Sequence, residues 1–284
     1  MNNGRSNGFH APVGLRGEAL QVGYGERPVI GELTIGIAPG TITALVGPNG
    51  SGKSTLLKAL ARLLQPTAGA VYLDGKAISR LPTAAIAREL AILPQAPRTP
   101  EGLTVGELVE QGRFPHVGAL RMLRQQDHDA IRDALALTVM AAFVHRSLET
   151  LSGGERQRAW IALALAQETP ILLLDEPTTF LDIGHQLEVL GLVRRLNRDL
   201  AKTIVLVLHD LNQAARFADR MVVLNQGQVI GDGPPHQVLT PELLAQVFGV
   251  RANIITDPVS GTPVCVPYAL IEAEGAAGPS LALV

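Results

Sequence analysis

Apolar residues run along the chain in two rhythms. Compact, almost wholly apolar stretches, Thr41–Val46, Ile171–Leu174 and Thr203–Leu208, read as strands buried on both faces of a parallel sheet, and each gives way at once to polar residues. Longer stretches with scattered apolar positions alternate with them, which predicts an α/β protein. In open α/β sheets the groups that act on ligands collect beyond the carboxyl ends of the strands, so chemistry is expected just after these runs. Two hairpin signals flank the core: Asp74-Gly75 after Ala70–Leu73, and Asn225-Gln226-Gly227 between Met221–Leu224 and Gln228–Gly231. They predict an antiparallel portion beside the parallel sheet. Between Gln95 and Ser152 strand signals thin out. Val105–Gln111 and Gln126–Phe143 read there as helices of a subdomain, about residues 96–160, inserted in a domain that spans 14–269. Residues 1–13 and 270–284 offer little to pack and are expected to be flexible tails.

With 284 residues, 46% of them apolar and 18% charged, the chain can bury a full core in one large domain or two intimate subdomains. A formal charge of −2 carries no basic excess, so nucleic acid is not the expected partner. The single cysteine, Cys265, cannot pair within the chain and reads as a small buried apolar residue. The most apolar stretch, from Ile161, meets Gln167, Glu168 and Pro170 before it reaches the ~18 residues of a membrane span. Met1–Pro12 lacks the apolar region of a signal peptide, and a cytoplasmic chain is expected.

Candidate chemistry begins where Thr41–Val46 ends. Gly47-Pro48-Asn49-Gly50-Ser51-Gly52-Lys53-Ser54-Thr55 follows that strand and opens a helix, the context of a P-loop. Glycines let backbone N–H groups wrap phosphate, the helix start adds partial positive charge and Lys53 a full one. Ser54 can offer its hydroxyl to Mg²⁺, so a nucleotide with Mg²⁺ is the expected ligand pair. A P-loop alone does not separate transporters, kinases, GTPases and helicases.

Ile171–Leu174 runs into Asp175-Glu176-Pro177. Adjacent acids are usually a solvated turn, but after a buried strand and with a P-loop present, Asp175 belongs beside Mg²⁺ and Glu176 can reach a water in line with the γ-phosphate. Thr203–Leu208 ends in His209-Asp210, which puts an imidazole at the same edge as a donor to the γ-phosphate. Gln95, after Ile92-Leu93-Pro94, could bridge Mg²⁺ to the helical insertion, and Tyr24, in a Gly-Tyr-Gly turn, could stack on adenine. The other six histidines show no metal-ligand spacing.

A second anion-binding helix start lies in Leu151-Ser152-Gly153-Gly154-Glu155-Arg156-Gln157-Arg158, which carries no lysine. Ser152 and Glu155 also fit an ordinary capping box, and both readings can hold together. Taken in order with the P-loop, Gln95, Asp175-Glu176, Leu181-Asp182 and His209, this segment resembles the ABC ATPase family over nearly the whole chain. Glu155 stands where that family more often has Gln. The resemblance implies a P-loop NTPase core of RecA-like type with an antiparallel β subdomain and the helical insertion. It further implies a head-to-tail homodimer around two ATP, in which Ser152 and Gly154 of one copy complete the site built on Lys53 of the other, and Gly153, Glu155 and Asp182 are expected among the nucleotide-binding residues.

Gly112-Arg113-Phe114-Pro115-His116, Thr178 to Gln186 and His209 to Ala214 look like ATP-binding subunits of bacterial importers for ferric siderophores, haem and vitamin B12; Asp257 to Pro263 is similar to the ferric-enterobactin branch. Such a subunit would work at the cytoplasmic face of the inner membrane with an integral-membrane permease, and indirectly with a substrate-binding protein. The exposed face of the helical insertion, including the neighbourhood of Arg113–His116, is expected to meet that permease. A soluble ABC ATPase of DNA repair or translation is the competing class, but no long heptad insertion, second P-loop or basic face favours it. A P-loop kinase or GTPase leaves Leu151–Arg158 unexplained.

Overall fold

A computed structural model of the chain describes residues 14–25, 27–95, 97, 101–117 and 122–271. Among these the strands are β1 (Leu15–Tyr24), β2 (Arg27–Ile37), β3 (Ile42–Val46), β4 (Ala68–Leu73), β5 (Lys76–Ala77), β6 (Leu90–Leu93), β7 (Ile171–Asp175), β8 (Thr203–Val207), β9 (Arg220–Asn225), β10 (Gln228–Gly233), β11 (Val250–Thr256) and β12 (Pro263–Leu270). The central sheet has the order β10-β9-β3-β8-β7-β6, parallel except for the edge strand β10. An antiparallel sheet, β2-β1-β4-β5, and the hairpin β11-β12 complete the strand layers.

The period of two along the buried strands divides the core. Ile42, Ala44 and Val46 of β3, Leu172 and Leu174 of β7, and Ile204 and Leu206 of β8 face the helices Gly153–Ala166 and Ile183–Leu200. The alternate residues Leu45, Leu173, Val205 and Val207 face the Lys53–Leu60 helix and the antiparallel sheet. All these strands are wholly buried, so the polar residues that follow them gather at one edge.

Several elements differ from the sequence reading. Val105–Glu110 is helical, but the helix expected over Gln126–Phe143 runs only Gln125–Leu137. Thr138 Oγ1 donates to the Ala134 carbonyl at 2.8 Å and Val139 turns left-handed at φ 58°, which ends the helix before a short turn at Ala141–Phe143. The Met221–Leu224 hairpin does not stand beside the parallel sheet; β9 pairs parallel with β3 and extends it. The sequence reading missed β1 and β2, whose alternation is broken by register shifts and left-handed residues at Ala19 and Glu32. It also missed the β11-β12 hairpin, in which Leu270, expected in the tail, is the last residue of β12. The tail expected over 1–13 lies outside the described residues, as do residues 272–284.

Arg113 does not lie on an outward face. It is buried at 2% exposure, where Nε donates to Asp127 Oδ1 at 2.9 Å and Nη1 donates to the Ala166 carbonyl at 2.7 Å and to Glu168 Oε2 at 2.6 Å. His116 Nε2 sits 2.9 Å from the Gln167 carbonyl. These two side chains turn inward because a guanidinium taken from water needs acceptors, and the end of the Gly153–Ala166 helix supplies them. Cys265 is buried, as expected.

Candidate active site

The P-loop closes tightly on its own backbone. Gly47 has φ 145°, and a Cβ there would lie 2.0 Å from the Leu224 carbonyl oxygen, so the loop requires glycine at this approach to β9. Gly227 N–H, from the β9-β10 turn, donates to the Ser51 carbonyl at 3.0 Å. Lys53 Nζ donates to the carbonyls of Gly47 and Pro48, each at 2.8 Å, which tethers the ammonium across the mouth of the loop. Burial lowers the Lys53 pKa, against the opposing pull of Glu176 and Asp175.

A cleft of about 600 Å³ opens over this loop, and Tyr24, Lys53, Ser54, Glu176 and His209 line it with Asn49, Gly50, Gly52 and Thr55 of the P-loop. Tyr24 is 52% exposed, so its ring face is open to a flat ligand. Arg27 and Gln226 also line the cleft, and the sequence reading did not single them out. No contiguous motif holds them: Arg27 opens β2, and Gln226 enters from the β9-β10 turn.

Ser54 Oγ donates to Asp175 Oδ1 at 2.7 Å, which brings two hard oxygen atoms together at the end of β7. Burial raises the Asp175 pKa; Ser54 lowers it and the neighbouring Glu176 raises it further. A cation there would relieve a buried negative pair. One hydroxyl and one carboxylate beside a phosphate cradle suit Mg²⁺, which is held by few protein oxygens together with phosphate. Ser51 Oγ, buried within the cradle, has no hydrogen-bond partner among the described residues, as a donor kept for a phosphate oxygen would.

Glu176 sits at φ 52° and is 9% exposed, so a left-handed backbone turns its carboxylate into the cleft. Its two oxygens collect three donors. His209 Nε2 donates to Oε1 at 2.7 Å, while Gln95 Nε2 at 2.5 Å and Thr179 Oγ1 at 3.0 Å donate to Oε2. Gln95 thus engages Glu176 through its amide nitrogen, not Ser54 or Asp175, and keeps Oε1 as its metal-competent atom. Thr179 was given no role from the sequence, where it entered only within the Thr178 to Gln186 segment.

Ser152 to Glu155 and Asp182 are not among the residues lining this cleft. Ser152 and Glu155 form a capping box: Ser152 Oγ accepts from Glu155 N–H at 3.2 Å, and Glu155 accepts from Ser152 N–H at 2.8 Å. That backbone donor holds the Glu155 carboxyl below the ordinary range. Asp182 caps the Ile183–Leu200 helix by accepting from His185 N–H at 2.9 Å. Among the described residues no group of three or more His, Cys, Asp and Glu side chains could hold a metal, and no helix is long and apolar enough to cross a membrane.

The ABC transporter family model matches residues 30–179. The chain is 53% identical over 260 residues to the iron(3+)-hydroxamate import ATP-binding protein of Bacillus subtilis (strain 168), covering 92% of this chain and 97% of that protein. It is 48% identical over 253 residues to the ferric enterobactin transport ATP-binding protein of Escherichia coli (strain K12), covering 89% and 93%. A dimeric bacterial ABC transporter cassette superposes with a TM-score of 0.69 at 30% identity, over 78% of this chain and 98% of that one. With its phosphate cradle, its strand-end carboxylates and these relatives, the chain belongs to the ABC transporter family as an ATP-binding cassette.

Proposed function

We propose that this chain hydrolyses ATP to drive import of a ferric siderophore through an integral-membrane permease at the cytoplasmic face of the inner membrane. The observation that carries the catalytic part is the triply hydrogen-bonded Glu176 at the edge of a cleft that also holds Lys53. Two relatives of about half identity named for iron(3+)-hydroxamate and ferric enterobactin support the substrate class.

In this reading Lys53 and the N–H groups of the P-loop hold the β- and γ-phosphates, and Tyr24 stacks on adenine. Ser54, Asp175 and the Gln95 side-chain oxygen would hold Mg²⁺, which when bound neutralises phosphate charge and fixes the orientation of the phosphate oxygens. Glu176 accepts the proton of the attacking water as it adds to the γ-phosphorus and the bond to the β–γ bridging oxygen breaks to release ADP, and His209 aligns Glu176 and donates toward the γ-phosphate. Ser152 to Glu155 and Asp182 act from a second copy of the chain, whose helix start supplies N–H donors and no lysine. The dimeric cassette that superposes on this chain supports this placement. The permease contact falls to the groove bounded by Glu107, Gln111, Phe114 and Leu123 in the helical insertion. A substrate-binding protein would deliver the chelate to the permease.

The test is uptake of iron-labelled hydroxamate and catecholate siderophores by cells lacking this chain. Restoration by the natural chain and not by Glu176→Gln is expected. Unchanged uptake in the deleted cells would remove the siderophore assignment, and loss of haem or vitamin B12 uptake instead would favour the neighbouring branches of the family.

A further inference from the structure

His185 has no part in the reading above, yet it occupies the joint between the two elements that a second copy must meet. It lies in the first turn of the Ile183–Leu200 helix, and its ring covers Gly154 at the start of the Gly153–Ala166 helix. A Cβ at Gly154 would stand 2.2 Å from His185 Cδ2 and 2.6 Å from Cγ, closer than any real contact, so with the ring in place only glycine fits. The other side of the ring is tied down. His185 Nδ1 lies 2.8 Å from Asp182 Oδ2, and its backbone N–H donates to Asp182 Oδ1 at 2.9 Å. Those donors, the backbone one first, hold the Asp182 carboxyl below its ordinary range, so it is an anion able to fix the imidazole with Nδ1 as the donor.

Asp182 closes the loop that Glu176 opens, and the loop has little slack. Thr179 Oγ1 reaches back to Glu176, Leu181 N–H donates to the Thr178 carbonyl at 3.3 Å, and Gln186 Nε2 donates to the Leu181 carbonyl at 2.9 Å. One turn further along both helices Arg158 pairs with Glu188, so the two helix starts are strapped together at a second point. Contacts therefore run from Gly154 through His185 to Asp182, and the backbone with the Leu181–Thr178 hydrogen bond carries the connection on to Thr179 and Glu176.

We propose that His185 is a positioning residue of the composite site, which seats the phosphate cap at Gly154 and, through Asp182, makes cap and hydrolytic loop move as one body. This rests on the reading that the cap acts on the cradle of a second copy. A contact path of this kind needs a measured coupling, and the ring against Gly154 offers one.

The experiment uses the full chain with Glu176→Gln, which slows escape by hydrolysis, and reads the ATP concentration at half-maximal dimer formation by sedimentation. His185→Ala should raise that concentration about tenfold while nucleotide binding by the dilute monomer changes less than about twofold. Gly154→Ala should cost about tenfold or more where the ring is present, and about twofold or less in the Gly154→Ala/His185→Ala double variant, because the added methyl then has room. His185→Asn, which keeps a donor for Asp182 without the ring, should recover part of the loss. An unchanged His185→Ala chain, or a Gly154→Ala penalty of the same size with and without the ring, overturns the inference. If Gly154→Ala does not fold, recovery of a folded chain in the double variant supports the seat, and failure in both overturns it. Failure of the parent reading is seen separately: the Glu176→Gln chain with His185 intact would stay monomeric in ATP, and the inference would fall with it.

Discussion

His209 Nε2 and Glu176 Oε1 lie 2.7 Å apart at the ends of two neighbouring parallel strands, β8 and β7. The sheet register fixes this pair. Asp175 stands opposite Val207, so the residues just beyond each strand emerge side by side over the P-loop. Replacement of the Glu176 carboxylate by an amide keeps the shape but removes the base and one of the two acceptor oxygens. Glu176→Gln should bind ATP normally and hydrolyse it about 10²-fold or more slowly, the scale of losing a general base. Steady-state phosphate release beside equilibrium nucleotide binding checks this, and near-normal turnover would take Glu176 out of the role.

Lys53→Ala should act at the earlier step. The lysine reaches the mouth of the cradle, where it donates to the carbonyls of Gly47 and Pro48, and no other full positive charge belongs to that loop. Nucleotide affinity itself should fall, by about tenfold or more on the scale of one charge-assisted contact to phosphate. Titration with a fluorescent ATP analogue measures it, and unaltered affinity would mean that the backbone cradle suffices.

Burial raises the Asp175 pKa, Glu176 adds to the rise and Ser54 opposes it, so the folded chain holds this proton more tightly than the unfolded one. The sign follows. Stability from this group is fully present below its unfolded pKa and is lost as pH rises through the raised folded value. Mg²⁺ needs the carboxylate, so metal-dependent nucleotide affinity should grow with pH over the same window, whereas binding without metal should not follow it. Asp175→Asn should abolish that difference and raise the thermal midpoint of the ligand-free chain at neutral pH by about 2 °C or more. Calorimetric titration across pH tests the first point, and a lower midpoint for the variant would contradict the second.

The inward turn of Arg113 makes it a stability element. Its guanidinium meets Asp127, the Ala166 carbonyl and Glu168, and burial of the Asp127 carboxyl is outweighed by the Arg124 N–H and Arg113, which hold its pKa below the ordinary range. Removing one partner leaves an uncompensated buried charge. Arg113→Ala should therefore cost about 3–5 kcal/mol by urea unfolding, and docking on the permease should weaken only as far as the helical insertion unfolds. A folded, stable Arg113→Ala chain that fails to support uptake would return this residue to the docking face.

Much of the site was open to sequence reading because its parts are contiguous motifs at strand ends. The P-loop, Asp175-Glu176 and His209 each follow a largely apolar, wholly buried run, and the parallel register aligns those runs. What escaped depends on distant chain segments meeting. Arg27 and Gln226 reach the cleft from separate elements, and the His185 seat on Gly154 joins two helices whose first turns each look self-sufficient. Arg113 misled for a related reason: a charged residue in a polar stretch reads as exposed unless its buried acceptors, here Asp127 and Ala166, can be located. In the fold, local hairpin signals gave the pairing of β9 with β10 but could not tell which sheet they join.

The composite site itself can be tested by counting, because each chain has one lysine-bearing cradle and one lysine-free cap. A closed two-fold dimer pairs each cradle with the partner's cap and so makes two sites. Ser152→Asp is the change to use at the cap. Ser152 Oγ caps its helix by accepting from Glu155 N–H, and aspartate is as good an N-cap, so the helix start is kept while a negative charge is set against the incoming phosphate. Mixed with Lys53→Ala subunits, a cap that acts on the partner's cradle concentrates both defects in one site of the heterodimer and leaves the other intact. A cap that acts within its own chain leaves both sites broken. With Glu176→Gln in both chains to slow escape by hydrolysis, verified heterodimers should occlude one ATP each and either homodimer almost none. Occlusion is the readout because turnover can require both sites and would then be silent in either case. Heterodimers that trap no more ATP than the homodimers would refute the arrangement, since no placement of the cap on the partner's cradle can break both sites at once.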